Sequence, residues 1–217
     1  MAWKPDYVTV LELKSELHME AGDTADDAQL ARWVTSASRA VDDWAHRQFG
    51  QTAAPETREY VAEWDPHEGA WFADVDDLGT LAALVVQWVG ATDPIELATP
   101  TVAGYKPLER NALQVGMVYE RLKITSGAWS SSPWPRSTTC SGGRELEVTA
   151  TWGWPAVPVA VKQATMLQAM RLAARRDSPF GIAGSPENGG EIQLRAKLDV
   201  DAQTTLGTKY RRDWWAA

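Results

Sequence analysis

The sequence predicts an α+β protein: a small helical bundle of two N-terminal helices and one long C-terminal helix, interrupted by an antiparallel β insertion and followed by an extended C-terminal arm. Three observations predict it. Residues 30–45 place apolar side chains at helical spacing, residues 145–152 alternate apolar with polar, and an Ala-rich run lies between Pro158 and Ser178-Pro179. The expected organisation is 1–56 for the N-terminal helical part, 57–154 for the β insertion, 155–178 for the last bundle helix and 179–217 for the arm.

Thr9-Val10-Leu11-Glu12 has the form of a capping box, in which Thr9 accepts from the third helical N–H while Glu12 reaches back. It predicts a short helix from about Val10 to His18. After a loop at Met19–Asp23, a second helix is expected from near Thr24, with Asp26 and Asp27 at its positive end. Leu30, Trp33, Val34, Ala37, Ala40, Val41, Trp44 and Ala45 fall on one side of it. Arg32, Thr35, Ser36, Arg39, Asp42, Asp43, His46 and Arg47 fall on the other, and Gly50 is expected to end the helix after Phe49.

From Thr57 the texture turns to β. Thr57–Trp64, Leu81–Val89, Val115–Ile124 and Glu145–Trp152 are the strand candidates, separated by Gly, Pro, Asp and Ser clusters. Leu81–Val89 is apolar on both faces and also suits a short buried helix. Ser126–Gly143 reads as a mobile loop. The third helix, Pro158–Asp177, sets Met166, Ala169, Met170, Ala173 and Ala174 on one face and Thr165, Gln168, Arg171, Arg175 and Arg176 opposite. Proline is tolerated at a first helical position, and the residue before Pro179 is pushed out of the α region. Gly181–Gly190 reads as flexible, and Glu191–Leu198 alternates like a strand.

The chain has 217 residues, of which 44% are apolar and 23% charged, enough to bury a sizeable core and unlike a disordered composition. No apolar run is long enough to cross a bilayer, and the N-terminus lacks the pattern of a secretory signal. Cys140 is the single cysteine, which excludes an intramolecular disulfide framework and fits a reducing compartment. A net charge of −8 argues against a protein that grips DNA by its phosphates. It leaves two readings: a solubility device, or a wall past which a polyanion slides.

The chain contains 12 tryptophans, a residue favoured at interfaces for its large, low-entropy contact area. Trp3, Trp129, Trp134, Trp214 and Trp215 lie in segments without periodicity and are the ones expected to be exposed. Sugar-stacking platforms and a biased composition are the competing explanations.

Chemistry is sparse. His18, His46 and His67 are isolated and lack ligand spacing, and no nucleophile elbow, Walker loop or dinucleotide fingerprint occurs. Asp74-Val75-Asp76-Asp77-Leu78-Gly79 begins like a calcium loop, but Leu78 and Val85 stand where oxygen ligands are required. Glu59, Glu63, Asp65, Glu68, Asp74, Asp76 and Asp77 are numerous enough to supply a glycosidase pair, but a solvated acidic face is the favoured explanation. Cys140 has no neighbour that would lower its pKa. The expectation is a non-enzyme without cofactor or metal.

One stretch is more specific. From Glu145 to Pro186 the chain runs strand, Trp-Gly-Trp-Pro turn, V-P-x-x-V-K-Q-A, Ala-rich helix and R-R-D-S-P-F-G. This order, together with the capped short helix and long amphipathic helix at the N-terminus, resembles the head-to-tail connector (adaptor) proteins of long-tailed bacteriophages, most closely those of actinobacteriophages. The resemblance implies a structural protein of the virion neck, made in the host cytoplasm. It would form a ring, commonly of twelve subunits, on the portal protein and link the DNA-filled head to the tail. Its further partners would be a stopper or tail-completion protein, with double-stranded DNA passing through the lumen without sequence-specific binding. A stopper or tail-completion protein is the nearest alternative, and a Trp-rich carbohydrate-binding module is the alternative from another class.

The expected partner-binding residues are Phe180, Tyr210, Arg211, Arg212, Trp214 and Trp215, with Met166 and Met170 on the adaptable face of the third helix. The arm that carries most of them is expected to be dispensable for the fold of the three helices.

Overall fold

The structure is a computed structural model and describes residues 4–98, 104–125, 144–177, 182–183, 192–193 and 198–212. The chain divides into two compact units. The first consists of Met1–Trp3 and Gly50–Ala156, the second of Lys4–Phe49 and Val157–Ala217.

The first unit is an antiparallel sheet of six strands: β1 (Glu56–Asp65), β2 (Ala70–Leu78), β3 (Val85–Trp88), β4 (Tyr105–Leu108), β5 (Tyr119–Ile124) and β6 (Arg144–Ala150). Their order across the sheet is β3-β6-β1-β2-β5-β4. The outermost strands are not left bare. Ile95 N–H donates to the Val86 carbonyl of β3 at 2.6 Å, while Tyr105 of β4 donates to Glu96 and accepts from Ala98. The segment Ile95–Ala98 therefore satisfies edge groups of both outer strands, which would otherwise offer themselves to another chain. Alternation sends Leu146, Val148 and Ala150 of β6 inward, where they meet Ala73 and Val75 of β2, Val86, Leu122, Ile124 and the fully buried Trp152.

Two strands were not legible in the sequence. β2 reads AWFADVDDL, and Asp is depleted in strands. Here Asp74 pairs with Arg121 on β5 at 2.7 Å, and Asp76 with Arg58 on β1 at 2.6 Å. Asp77 accepts from an indole. The run that starts like a calcium loop is thus the end of a strand with its carboxylates engaged. β4 is only four residues long, too short for a pattern. The expected strand at Val115 starts at Tyr119, because Ala112–Val115 form a 3-10 turn flanked by left-handed Asn111 (φ 68°) and Gly116 (φ 69°). Within Leu81–Val89 the chain chooses strand, not helix.

The second unit holds α1 (Val10–Glu16), α2 (Asp27–Ala45), α3 (Val159–Ala174) and α4 (Val200–Leu206), with a two-stranded pair of β7 (Ile182–Ala183) and β8 (Ile192–Gln193). The capping box is present: Glu12 N–H donates to Thr9 Oγ1 at 3.2 Å, and Thr9 N–H donates to Glu12 Oε2 at 2.6 Å. Lys14, buried on the inner side of α1, has its ammonium paired with Asp27 and donating to the Asp23 carbonyl, which ties α1 to the start of α2. The helical core joins Val8, Leu13, Leu30, Val34, Ala37 and Ala169.

Three expectations are corrected here. α2 starts at Asp27 and ends at Ala45, not at Gly50: His46 takes the left-handed position (φ 53°) that the glycine was expected to provide. The buried face of α3 is Val161, Ala164, Thr165, Gln168 and Ala169, rotated by one position from the expected stripe. The helix is apolar nearly all round, so periodicity could not choose its face, and two polar residues enter the core because each is satisfied. Thr165 Oγ1 donates to Val161 O at 2.9 Å, and Gln168 Oε1 accepts from Asp199 N–H at 3.1 Å.

The third correction concerns the arm. Residues 198–212 are folded, with Leu198, Ala202 and Leu206 buried and α4 packed on α3. Residues 126–143 and most of 184–197 lie outside the described residues. Among those described, no helix is long and apolar enough to cross a membrane.

Candidate interaction surface

The C-terminal segment is built onto the second unit step by step. Asp199 caps α4 by accepting from Asp201 N–H at 2.8 Å, and the same carboxylate pairs with Arg171 of α3. Gly207, at φ 59°, turns the chain out of α4 into a 3-10 turn at Thr208–Tyr210. The Tyr210 ring then meets Phe49 edge-on, with centroids 6.0 Å apart. Arg212 N–H donates to the Ala45 carbonyl at 2.8 Å, satisfying one of the last carbonyls of α2. The Arg211 guanidinium lies over the Trp44 ring, 5.9 Å from its centroid.

The outcome is a basic-aromatic knuckle at the C-terminal end of α2. Lys209 and Arg211 are exposed, and Trp44, Arg47, Tyr210 and Arg212 are half-buried. Positive charge here is favoured by the negative end of the helix dipole. Sequence reasoning named Tyr210, Arg211 and Arg212 but missed Trp44 and Arg47, which lie far away in the chain and are brought near by the Arg212–Ala45 bond and the Tyr210–Phe49 contact. Phe180, Trp214 and Trp215 lie outside the described residues, as do Trp3, Trp129, Trp134 and Cys140. Met166 and Met170 are half-buried and pack against the helical core.

Beneath the knuckle sits a polar hub. Tyr7 Oη donates to Asp42 and accepts Phe49 N–H at 2.9 Å, while Tyr7 N–H donates to Ser38 Oγ at 3.1 Å. Arg39 Nε pairs with Asp42 at 3.2 Å, and Arg39 Nη2 donates to Pro5 O at 2.7 Å. Burial pushes the Asp42 carboxyl up to about 6, against the pull of Tyr7 and Arg39; burial and the adjacent carboxylate push the Tyr7 phenol well above its usual range. These bonds fasten the segment before α1 along α2 and fix the base on which the knuckle rests.

The acidic residues that might have formed a catalytic pair are distributed. Asp65 accepts from His67 and Glu68 N–H groups in the β1–β2 turn, Glu68 pairs with Lys123, and Asp76 holds Arg58 and Tyr60. Asp77 is buried, whereas Glu59, Glu63 and Asp74 are exposed. All three histidines are exposed, and no group of three metal-ligating side chains is present among the described residues. Trp64, Trp71 and Trp88 form a chain of ring contacts at 5.5 and 5.7 Å. Trp71 and Trp88 pack into the sheet core rather than standing open as a sugar platform.

No family model matches the chain, and no curated protein does. Among solved structures it is similar to a chain from the "Neck of empty GTA particle computed with C6 symmetry", at 18% identity and a TM-score of 0.49, over 97% of this chain and 92% of that one. A TM-score below 0.5 is too low to establish a shared fold, and identity at that level carries no function.

Proposed function

We propose that this chain is a structural component of the neck of a phage-like particle: a head-to-tail adaptor whose copies assemble as a ring on a portal and present a platform to the next neck protein. The observation that supports it is the passage from β6 into α3. The stretch for which the sequence resembles phage connectors folds as a strand, a buried Gly-aromatic turn and a helix, in that order. In this reading the helices of the second unit are the small bundle of such an adaptor, and the β unit is its insertion. The work of such a protein is interface formation, and the knuckle offers Arg, Tyr and Trp, the side chains most enriched at interface hot spots. DNA would pass the assembled ring without a base-reading contact, in keeping with the net charge of −8.

The residues beyond 212, with Trp214 and Trp215, are proposed to dock on the portal or an adjacent subunit. The test is assembly in the chain's absence. Particles made without it should accumulate as DNA-filled heads that fail to join tails, and adding the purified chain should restore joining. Normal tail attachment without the chain would overturn the reading.

A further inference from the structure

The outward face of β1, β6 and β3 is a three-strand grid whose carboxylates have no cationic partner among the described residues. Leu146 and Val148 point into the core, so Glu145, Glu147 and Thr149 point out. The register sets Thr57 beside Thr149 and Thr149 beside Val85, then Glu59 beside Glu147 and Glu147 beside Gln87, then Val61 beside Glu145. Val89 follows on β3, donating its N–H to the Glu145 carbonyl at 3.2 Å. Val61, Val85 and Val89 are 59%, 41% and 40% exposed, unusual for β-branched residues on a sheet.

Of the polar members, the Thr57 and Thr149 hydroxyls bond each other at 2.7 Å, whereas the carboxylates lack a cation among the described residues. Glu59 and Glu147 are directly opposed like charges, an arrangement that costs stability. Among the described residues no cation pairs with Glu59, Glu145 or Glu147; only Gln87 donates to Glu147. An exposed sheet face that joins three valines to three carboxylates calls for a cover that is cationic and partly apolar.

The same chain carries such a surface. The knuckle carries Arg47, Lys209, Arg211 and Arg212, with the Arg211 guanidinium over the Trp44 ring and the Lys209 ammonium over the Tyr210 ring. We infer that the β1–β6–β3 face of one subunit docks the basic-aromatic knuckle of a second copy of this chain. The two surfaces differ, so the contact is heterologous and repeats from copy to copy until a ring closes. The inference rests on the reading of the chain as an assembling particle component and specifies which surfaces meet.

The experiment uses the full chain, mixed from unlabelled and nitrogen-15-labelled preparations at low ionic strength. A carbodiimide joins the Lys209 amine directly to a carboxylate in contact with it. The expected products are mixed-isotope crosslinks from Lys209 to Glu59, Glu145 or Glu147, which disappear at about 1 M salt, where the screening length falls to about 3 Å. Two charge reversals complete the test: Glu59→Lys with Glu147→Lys, and Arg211→Glu with Arg212→Glu, each checked for native folding by circular dichroism. Each double variant alone should lose at least about tenfold in self-association, and an equimolar mixture of the two should recover it, because opposed like charges then become opposite ones.

Crosslinks confined to one isotope, or reversals that leave association unchanged, overturn the inference while leaving the neck assignment standing. So does a Glu59→Lys/Glu147→Lys variant that assembles normally but retards DNA passage, since the face then borders the lumen. Failure of the neck assignment shows separately, as tail joining that never needs the chain.

Discussion

Trp154 donates its indole N–H to Asp77 Oδ2 at 2.8 Å, and both side chains are buried. The bond joins the turn after β6 to the end of β2, and Gly153 between the two tryptophans completes the junction by donating to Asp77 O at 2.6 Å. A buried carboxylate that loses a donor keeps its desolvation cost. Trp154→Phe is therefore expected to lower the stability of the chain by about 1–3 kcal/mol, measured by urea unfolding. An unchanged midpoint would show that water or another donor replaces the indole.

Gly153 is irreplaceable for a different reason. Its φ is +99°, and a Cβ built there lies 2.0 Å from the Gly50 carbonyl oxygen. Gly153→Ala combines a strained backbone with a clash against main chain that cannot rotate away. The expected loss is at least about 2 kcal/mol, or a fall of roughly 4–8 °C in melting temperature. Gly116, also at positive φ (69°) but with open space around it, is the control: Gly116→Ala should cost distinctly less.

Asp42 sets a pH dependence. Its carboxyl titrates at about 6 in the folded chain, raised chiefly by burial from an ordinary 3.8. The folded state thus holds this proton more tightly than the unfolded one. The stabilisation it brings is complete below about pH 4 and is lost as pH rises through about 6. Glu12 acts in the opposite sense, since the Thr9 N–H and hydroxyl hold its carboxyl below the usual range, so its contribution is lost on acidification. Comparing Asp42→Asn with the parent chain cancels that background. The variant's stability relative to the parent should improve between pH 5 and pH 7.5; a constant difference across that range would exclude the assignment.

Leu206 is fully enclosed, 2% exposed, and with Ala202 it anchors α4 on α3. Leu206→Ala is expected to cost about 2–5 kcal/mol. Removing everything after Gly190 should cost more, because it also strips the Tyr210 ring from Phe49 and the Arg212 bond from Ala45. Loss of tail joining in that truncation would thus report a damaged fold as much as a missing contact. Truncation after Arg212 is the cleaner probe of docking, because it keeps the Tyr210 ring on Phe49 and the Arg212 bond to Ala45.

Local sequence patterns encode the α+β class, the capped first helix, the inner stripe of α2 and the strand character of β1, β5 and β6. In each case the signal is local: a Thr and a Glu three residues apart, or apolar side chains at spacings of 3.6 or 2. The sequence also singled out Tyr210, Arg211 and Arg212. What those residues belong to emerges from long-range contacts. The knuckle exists because Arg212 bonds to Ala45 and Tyr210 meets Phe49, contacts between segments more than 150 residues apart that no local pattern encodes. β2 escaped because its three aspartates look unlike a strand until Arg121, Arg58 and Trp154 arrive from other segments to satisfy them. The face of α3 was undecidable for the complementary reason: nearly every side of it is apolar, and the choice fell to where Gln168 finds the backbone of Asp199. Short-range spacing fixes periodicity, whereas partners for buried polar groups come from distant chain, and they chose the final arrangement.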